Sequence, residues 1–282
     1  DVTKKRSHFV AQISISRAIR PLLAMLATPV AAETGGRPPA LQTPAADEVA
    51  TGLDRSLRMT VPVMIASVRG TAALFQGPFD FVVDTGADRT VISEELAKQL
   101  NLPQSGTATL HAMGGSAKVK LVSIKTVQVS TNIAKRVEAA ALPRRNVGAD
   151  GLLGIDSLKN QRIVMNFQSN TMRVEPASVP EEAVPEDSDL IIVTAKTRLG
   201  QLVMVDADAN GQKIWVVVDT GAQNSIANTR LRALLVKRVP ETEIKSISMV
   251  DVLGRSTPAE YTIVSKLRIG GVSMGNAAIA FA

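Results

Sequence analysis

The sequence predicts an all-β protein of two related lobes in tandem, arranged about a pseudo-twofold and carrying only short helices. Three observations carry that prediction. An apolar run ending in an Asp-Thr-Gly-Ala turn occurs twice, as Phe81-Val82-Val83-Asp84-Thr85-Gly86-Ala87-Asp88 and as Val216-Val217-Val218-Asp219-Thr220-Gly221-Ala222-Gln223, 135 positions apart. The segments around the two copies repeat in the same order. Aromatic residues make up only 3% of the 282-residue chain, so the cores must be assembled from Val, Ile, Leu, Ala and Met. The branched aliphatics in that set suit a pleated, half-buried surface.

Residues 1–32 read as a signal peptide or leader. A basic stretch ending at Arg20 precedes the apolar run from Pro21 to Val30, and Val30-Ala31-Ala32 supplies the small residues of a cleavage site. That reading places the protein in the periplasm or outside the cell. The apolar run is far short of the ~18 residues of a membrane span. Residues 33–56 hold Gly35-Gly36, Pro38-Pro39 and Pro44, follow neither a helical nor a strand period, and read as a flexible tether.

The first lobe is expected over residues 57–174. Thr60 to Ile65 forms a strand, and a second strand feeds the Asp84 turn. Ser93 can cap a helix whose first turn carries Glu94 and Glu95, acids that favour that end of the helix dipole. From Thr107 to Leu142 apolar and polar residues alternate, with Met113-Gly114-Gly115-Ser116 as a hairpin tip. Asp150-Gly151-Leu152-Leu153-Gly154-Ile155-Asp156, a short helix and two strands close the unit. Residues 175–189 hold three prolines and six acids with no base, and read as a solvated linker.

The second lobe, residues 190–282, repeats the order. Leu190–Thr194 and Leu202–Val205 read as strands, Asn210-Gly211 as a tight hairpin turn, and Ile214–Val218 as the strand entering the Asp219 turn. Asn228 or Thr229 can cap the next helix, and Leu253-Gly254-Arg255-Ser256 stands where Gly114-Gly115-Ser116 stood. No counterpart of Gly151-Leu152-Leu153-Gly154 is reached before Ala282. The second lobe is therefore expected to be open beneath Asp219, by truncation in the preferred reading, or else to be completed by dimerisation or degenerate.

One Asp-Thr-Gly-Ala arises by chance roughly once in a few hundred chains of this length; two copies after matching valine runs point to a composite site. Two carboxylates a few ångströms apart cannot both ionise cheaply, so the pair keeps one proton. The ionised member can take a proton from water while the other donates to a carbonyl. That is general acid–base hydrolysis of an amide with no metal or cofactor. The hydroxyls of Thr85 and Thr220 can lock the two turns across the interface, and Gly86 and Gly221 allow the close approach this requires.

Other chemistries find less support. Of the net charge of +6, residues 1–32 contribute +4 (Lys4, Lys5, Arg6, Arg17 and Arg20 against Asp1), leaving +2 elsewhere. No basic tract is interleaved with aromatics, so nucleic acid is not an expected partner. There is no cysteine, and the only histidines are His8 and His111. Thiolate catalysis is excluded, and a His-rich metal site or an ordinary Ser-His-Asp triad is not expected. Asp206-Ala207-Asp208-Ala209-Asn210-Gly211 opens like a calcium loop, but Val217 stands at its twelfth position where a bidentate Glu is required.

The residues resemble the retropepsin-like aspartic proteases. Asp84-Thr85-Gly86-Ala87-Asp88-Arg89-Thr90-Val91-Ile92 is similar to the active-site segment of the retroviral members. Leu152-Leu153-Gly154 with its following helix and hairpin resembles the family's second signature. The resemblance covers about residues 57–175 well and 190–282 in part. It implies β-barrel lobes, glycine-tipped flaps and a cleft that takes a protein or peptide substrate in extended form. It makes Asp84 and Asp219 the catalytic pair of an aspartic endopeptidase. Met113, Gly114 and Gly115 would form one flap tip and Leu253 and Gly254 the other. Ala87, Asp88, Ala222 and Gln223 would line the cleft, with Gln223 in the place of an acid so that the two ends differ. Both motifs on one chain imply a monomeric pseudodimer or a homodimer. The alternative function is a non-catalytic peptide-binding or dimerisation module on the same fold.

Overall fold

Each lobe winds its strands into its own closed sheet in the computed structural model. It describes residues 10–13, 48–54, 56, 58–67, 74–158, 161–166, 171–176, 190–194, 197–198, 201–235, 244–269 and 272–282. In chain order the elements begin with β1 (Val10–Ile13), β2 (Glu48–Ala50), β3 (Gly52–Leu53), β4 (Met59–Ser67), β5 (Leu74–Val83) and β6 (Val91–Ser93). Next come α1 (Glu94–Gln99), β7 (Gln104–Ala112), β8 (Gly115–Val129), β9 (Asn132–Leu142), α2 (Arg144–Val147), β10 (Gly151–Leu153) and a 3-10 turn at Ile155–Ser157. The first lobe's sheet runs β3-β4-β5-β10-β6-β9-β8-β7, and β4 pairs again with β8 to close it.

Strand alternation decides what this closure buries. Phe81 and Val83 point into the main core with Val61, Val63 and Ile65 of β4 and Ile124 and Val127 of β8. Val82 between them faces a second apolar cluster with Val91, Leu142 and Leu152. Each such side chain, fully buried, contributes about 1.5–3 kcal/mol. α1 covers one side with Leu96 and with Leu100, its C-cap. As expected, its N-cap is Ser93, whose hydroxyl accepts from the Leu96 N–H at 3.2 Å. Gly151 is required where it stands, because a Cβ there would overlap the Phe81 ring and the Val91 carbonyl.

A separate sheet of order β13-β11-β12-β2 uses β11 (Gln161–Asn166), β12 (Thr171–Pro176) and β13 (Leu190–Thr194). It joins the end of the first lobe to the start of the second. The expected tether at 33–56 is thus partly strand: β2 pairs with β12 and β3 with β4. Residues 33–47 lie outside the described residues. Glu175 and Pro176 of the expected acidic linker belong to β12, and 177–189 are likewise not described.

The second lobe uses β14 (Thr197–Arg198), β15 (Gln201–Ala209), β16 (Gln212–Val218), β17 (Ser225–Ala227), α3 (Thr229–Leu235), β18 (Lys245–Val250), β19 (Ser256–Ile269) and β20 (Val272–Phe281). Asn210 (φ 48°) and Gly211 (φ 79°) form the turn between β15 and β16, the positive-φ pair of a type I′ hairpin. Asn228 caps α3, its Oδ1 accepting from the Leu231 N–H at 3.0 Å. The core is Ile214, Val216, Val218, Leu231, Leu267 and Ile279, with Ala207 and Ala209.

The sheet order β14-β15-β16-β1-β17-β20-β19-β18 matches the first lobe strand for strand. This corrects the expectation of a vacant position beneath Asp219. β1 runs parallel to β16 (Gln12 beside Val217, Ile13 beside Val218) and antiparallel to β17. β10 does the same between β5 and β6. The edges of β16 and β17 carry backbone donors and acceptors that need partners. An extended segment far away in the chain meets that need as well as an adjacent one. Val10–Ile13 falls inside the segment read as a leader, and the rest of residues 1–32 lies outside the described residues.

Candidate active site

The two Asp-Thr-Gly turns meet where the lobes face each other. Each threonine reaches across to the opposite lobe's backbone. Thr85 Oγ1 donates to the Val218 carbonyl at 2.7 Å and accepts from the Thr220 N–H at 3.1 Å. Thr220 Oγ1 donates to the Val83 carbonyl at 2.5 Å and accepts from the Thr85 N–H at 3.2 Å. Both threonines are buried, so these bonds hold the lobes together away from water.

The clasp brings Asp84 and Asp219 together. Asp84 Oδ1 accepts from the N–H groups of Gly86 and Ala87, both at 3.0 Å. Asp219 Oδ1 accepts from Gly221 at 2.8 Å and Ala222 at 3.1 Å. The Asp84 N–H donates to the Leu153 carbonyl at 3.1 Å, so β10 supports the first turn from beneath. A Cβ on Gly86 would overlap the Asp219 carboxyl carbon, and one on Gly221 the Asp84 carboxyl carbon. Glycine is therefore a steric requirement of the pairing.

Burial raises the pKa of both carboxyls. For Asp84 it is opposed by the hydrogen bond with Asp219, the two backbone donors and the charge of Arg58. For Asp219, burial and then the Asp84 charge hold the pKa well above the ordinary carboxylate value. The pair keeps one proton at pH values where a free aspartate has none, and that proton belongs to the pair.

Residues 87–90 are held by the 3-10 turn. Asp156 Oδ1 accepts from the Thr90 N–H at 2.9 Å and from its hydroxyl at 2.7 Å, and the Ile155 N–H donates to the Ala87 carbonyl at 2.9 Å. Gly154 packs directly on the Arg89 backbone. The second signature thus buttresses the first.

Of the expected cleft residues, Asp88 is exposed near the Asp84 turn. Gln223 is also exposed, and its Nε2 donates to Ser56 Oγ of the first lobe at 2.8 Å, so it bridges the lobes. Ala87 and Ala222 lend their N–H groups to the carboxylates. Met113 and Gly114 lie at the β7–β8 tip with Gly115 just beyond; Leu253 and Gly254 lie at the β18–β19 tip. The tips touch: Asp251 Oδ2 accepts from the Gly114 N–H at 2.9 Å, and Arg255 donates to the Ser116 carbonyl at 2.9 Å.

Three contributors escaped the sequence reading. Arg58 pairs with buried Asp54 (2.6 Å) and donates to the Val147 carbonyl at 2.6 Å; nothing local in the sequence signals it. Asp251 is detectable as the first residue of Asp-Val-Leu-Gly, an Asx-turn pattern. Arg255 stands in the second tip that the sequence marks, but its role is visible only through its contact. Within the calcium-like stretch, Asp208 pairs with Arg268 at 2.8 Å and Asn210 Oδ1 accepts from the Lys266 N–H at 2.9 Å. No helix among the described residues is long and apolar enough to cross a membrane.

Comparison with known families agrees with this geometry lobe by lobe. The family described as "gag-polyprotein putative aspartyl protease" matches residues 72–160, and the family described as "Aspartyl protease" matches residues 205–282. No curated protein gives a significant match. With an Asp-Thr-Gly turn inside each matched segment, the chain belongs to the retropepsin-like aspartic protease family.

Proposed function

We propose that the protein is an endopeptidase that cleaves extended protein segments with a water held between Asp84 and Asp219. The observation that carries this reading is the burial of the two carboxyls against each other at the joined turns, which raises the pKa of both. The ionised carboxylate takes a proton from water as its oxygen attacks the peptide carbonyl carbon, and the protonated carboxyl donates to the carbonyl oxygen. The resulting tetrahedral diol collapses as a proton passes to the amide nitrogen and the C–N bond breaks, releasing an acid and an amine. Because the cycle needs one proton on the pair, the rate falls both when the pair loses it and when it gains a second.

Asp84→Asn and Asp219→Asn, made separately in the full chain, are expected to lower cleavage of a denatured protein at least a thousandfold while circular dichroism stays unchanged. Full activity in either variant rules out the composite site. A non-catalytic peptide-binding module would bind the denatured protein without cutting it and be indifferent to both changes.

Export to the periplasm or medium through residues 1–32 is part of the same proposal. Cleavage after Ala32 would take β1 away from the second lobe. N-terminal sequencing of the protein recovered from cells tests both points.

A further inference from the structure

We infer that Asp251 and Arg255 are positioning residues that hold the first flap shut over the aspartate pair, so that the second flap grips and the first is gripped. The inference rests on the endopeptidase reading above. The asymmetry is in the donors and acceptors. Gly114 of the first tip gives its N–H to Asp251 Oδ2 at 2.9 Å, and Arg255 spans the carbonyls of Gly114 (3.4 Å) and Ser116 (2.9 Å). The first flap supplies backbone groups; the second supplies both charged side chains.

The gripping tip is itself rigidly built. Asp251 Oδ1 accepts from the N–H groups of Leu253 and Arg255, each at 2.9 Å. The turn is closed by Asp251 N–H to Arg255 carbonyl (3.0 Å) and Gly254 N–H to Asp251 carbonyl (2.8 Å). Both Asp251 oxygens are thereby used, one for its own turn and one for the opposite flap. Val252 and Leu253 pack on the first lobe's apolar cluster around Val82 and Leu152. Gly254 lies so close to the Asn146 side chain of α2 that an added Cβ would stand 2.9 Å from it. The second tip is thus anchored on the first lobe as well as on its own.

Gly114 fits the same picture. A Cβ there would come within 2.8 Å of Asp251 Oδ2 and 3.0 Å of Thr257 Oγ1, so only glycine lets the backbone reach the carboxylate. A neutral backbone group bonded to a charged one is stronger than a neutral pair. These bonds must open for a substrate to enter and can re-form over it.

The test uses the absence of cysteine from the chain. Spin labels on Lys118→Cys and Val250→Cys, both on exposed flap positions, report the distance between flaps in the full chain. The parent should give one narrow distribution. Arg255→Ala and Asp251→Ala should broaden it and shift it outward. In unlabelled protein the same substitutions should raise KM about tenfold, the equivalent of one hydrogen bond to a charged group, with kcat within about threefold. Arg255→Lys should recover part of both effects, and Asp251→Asn, which keeps an acceptor for the turn, should widen the distances less than Asp251→Ala. Unchanged distances and KM in Arg255→Ala and Asp251→Ala would overturn the latch. A chain that shows the distance changes but cuts no substrate would keep the latch and remove the endopeptidase reading.

Discussion

Thr220→Ala tests the interface on which the whole site depends. The hydroxyl donates to the Val83 carbonyl and accepts from the Thr85 N–H, both backbone groups of the opposite lobe. Thr220 is 9% exposed and Thr85 fully buried. Removing the hydroxyl leaves two buried groups unpaired, at about 1–3 kcal/mol each. Entry of water at the lobe boundary brings the total to the lower end, about 2–3 kcal/mol. For a chain of this size that lowers the melting temperature by roughly 5–10 °C. Thr220→Ser keeps both bonds and loses one methyl, about 0.8 kcal/mol. Urea denaturation read by circular dichroism, with activity followed in parallel, separates the two. Thr85→Ala should cost as much as Thr220→Ala, since it strands the Val218 carbonyl and the Thr220 N–H. The two hydroxyls lie 3.4 Å apart in one network, so the double substitution should depart from the sum of the singles by about 0.5–3 kcal/mol. If Thr220→Ala falls within about 0.5 kcal/mol of Thr220→Ser, the clasp does not hold the lobes as argued.

Asp219→Asn should stabilise the fold more at pH 7 than at about pH 3.5. Below the unfolded value of about 3.9 both states carry the proton; above it the unfolded chain ionises while folded Asp219 keeps its proton, so wild-type stability falls as pH rises toward the folded pKa. Equal urea midpoints for the two proteins at both pH values would contradict this. Gly221→Ala drives a methyl into the Asp84 carboxyl and should abolish cleavage; a rate within tenfold of wild type would show the turns to be further apart. Arg58→Ala leaves Asp54 buried without its cation and should cost about 3 kcal/mol in a thermal or urea melt. It also removes a charge that lowers the Asp84 pKa, so the alkaline limb of the activity profile should move to higher pH. In the chain that retains residues 1–32, Ala11→Pro deletes a donor from β1, where Ala11 lies beside Val216 and Ala227. Hydrogen exchange should then quicken at Ile214–Val218 and stay unchanged at Phe81–Val83.

By itself the sequence determined what is encoded over a few neighbouring residues. The two Asp-Thr-Gly-Ala turns, the Ser93 and Asn228 caps, the Asn210-Gly211 hairpin and the glycine-bearing hairpin tips all depend on strand alternation or local turn chemistry. The pairing of Asp84 with Asp219 was legible because the motif repeats. Only the tertiary structure decided which distant segment pairs with which. Val10 lies beside Trp215 in a parallel register, although nothing in Val10-Ala11-Gln12-Ile13 marks it as a partner for the second lobe. Asp251 and Arg255 meet Gly114 and Ser116, and Gln223 meets Ser56, through contacts that span more than a hundred residues. An unpaired strand edge or an open carbonyl accepts any suitable group that the fold delivers, so those partners are set by the closing of the lobes.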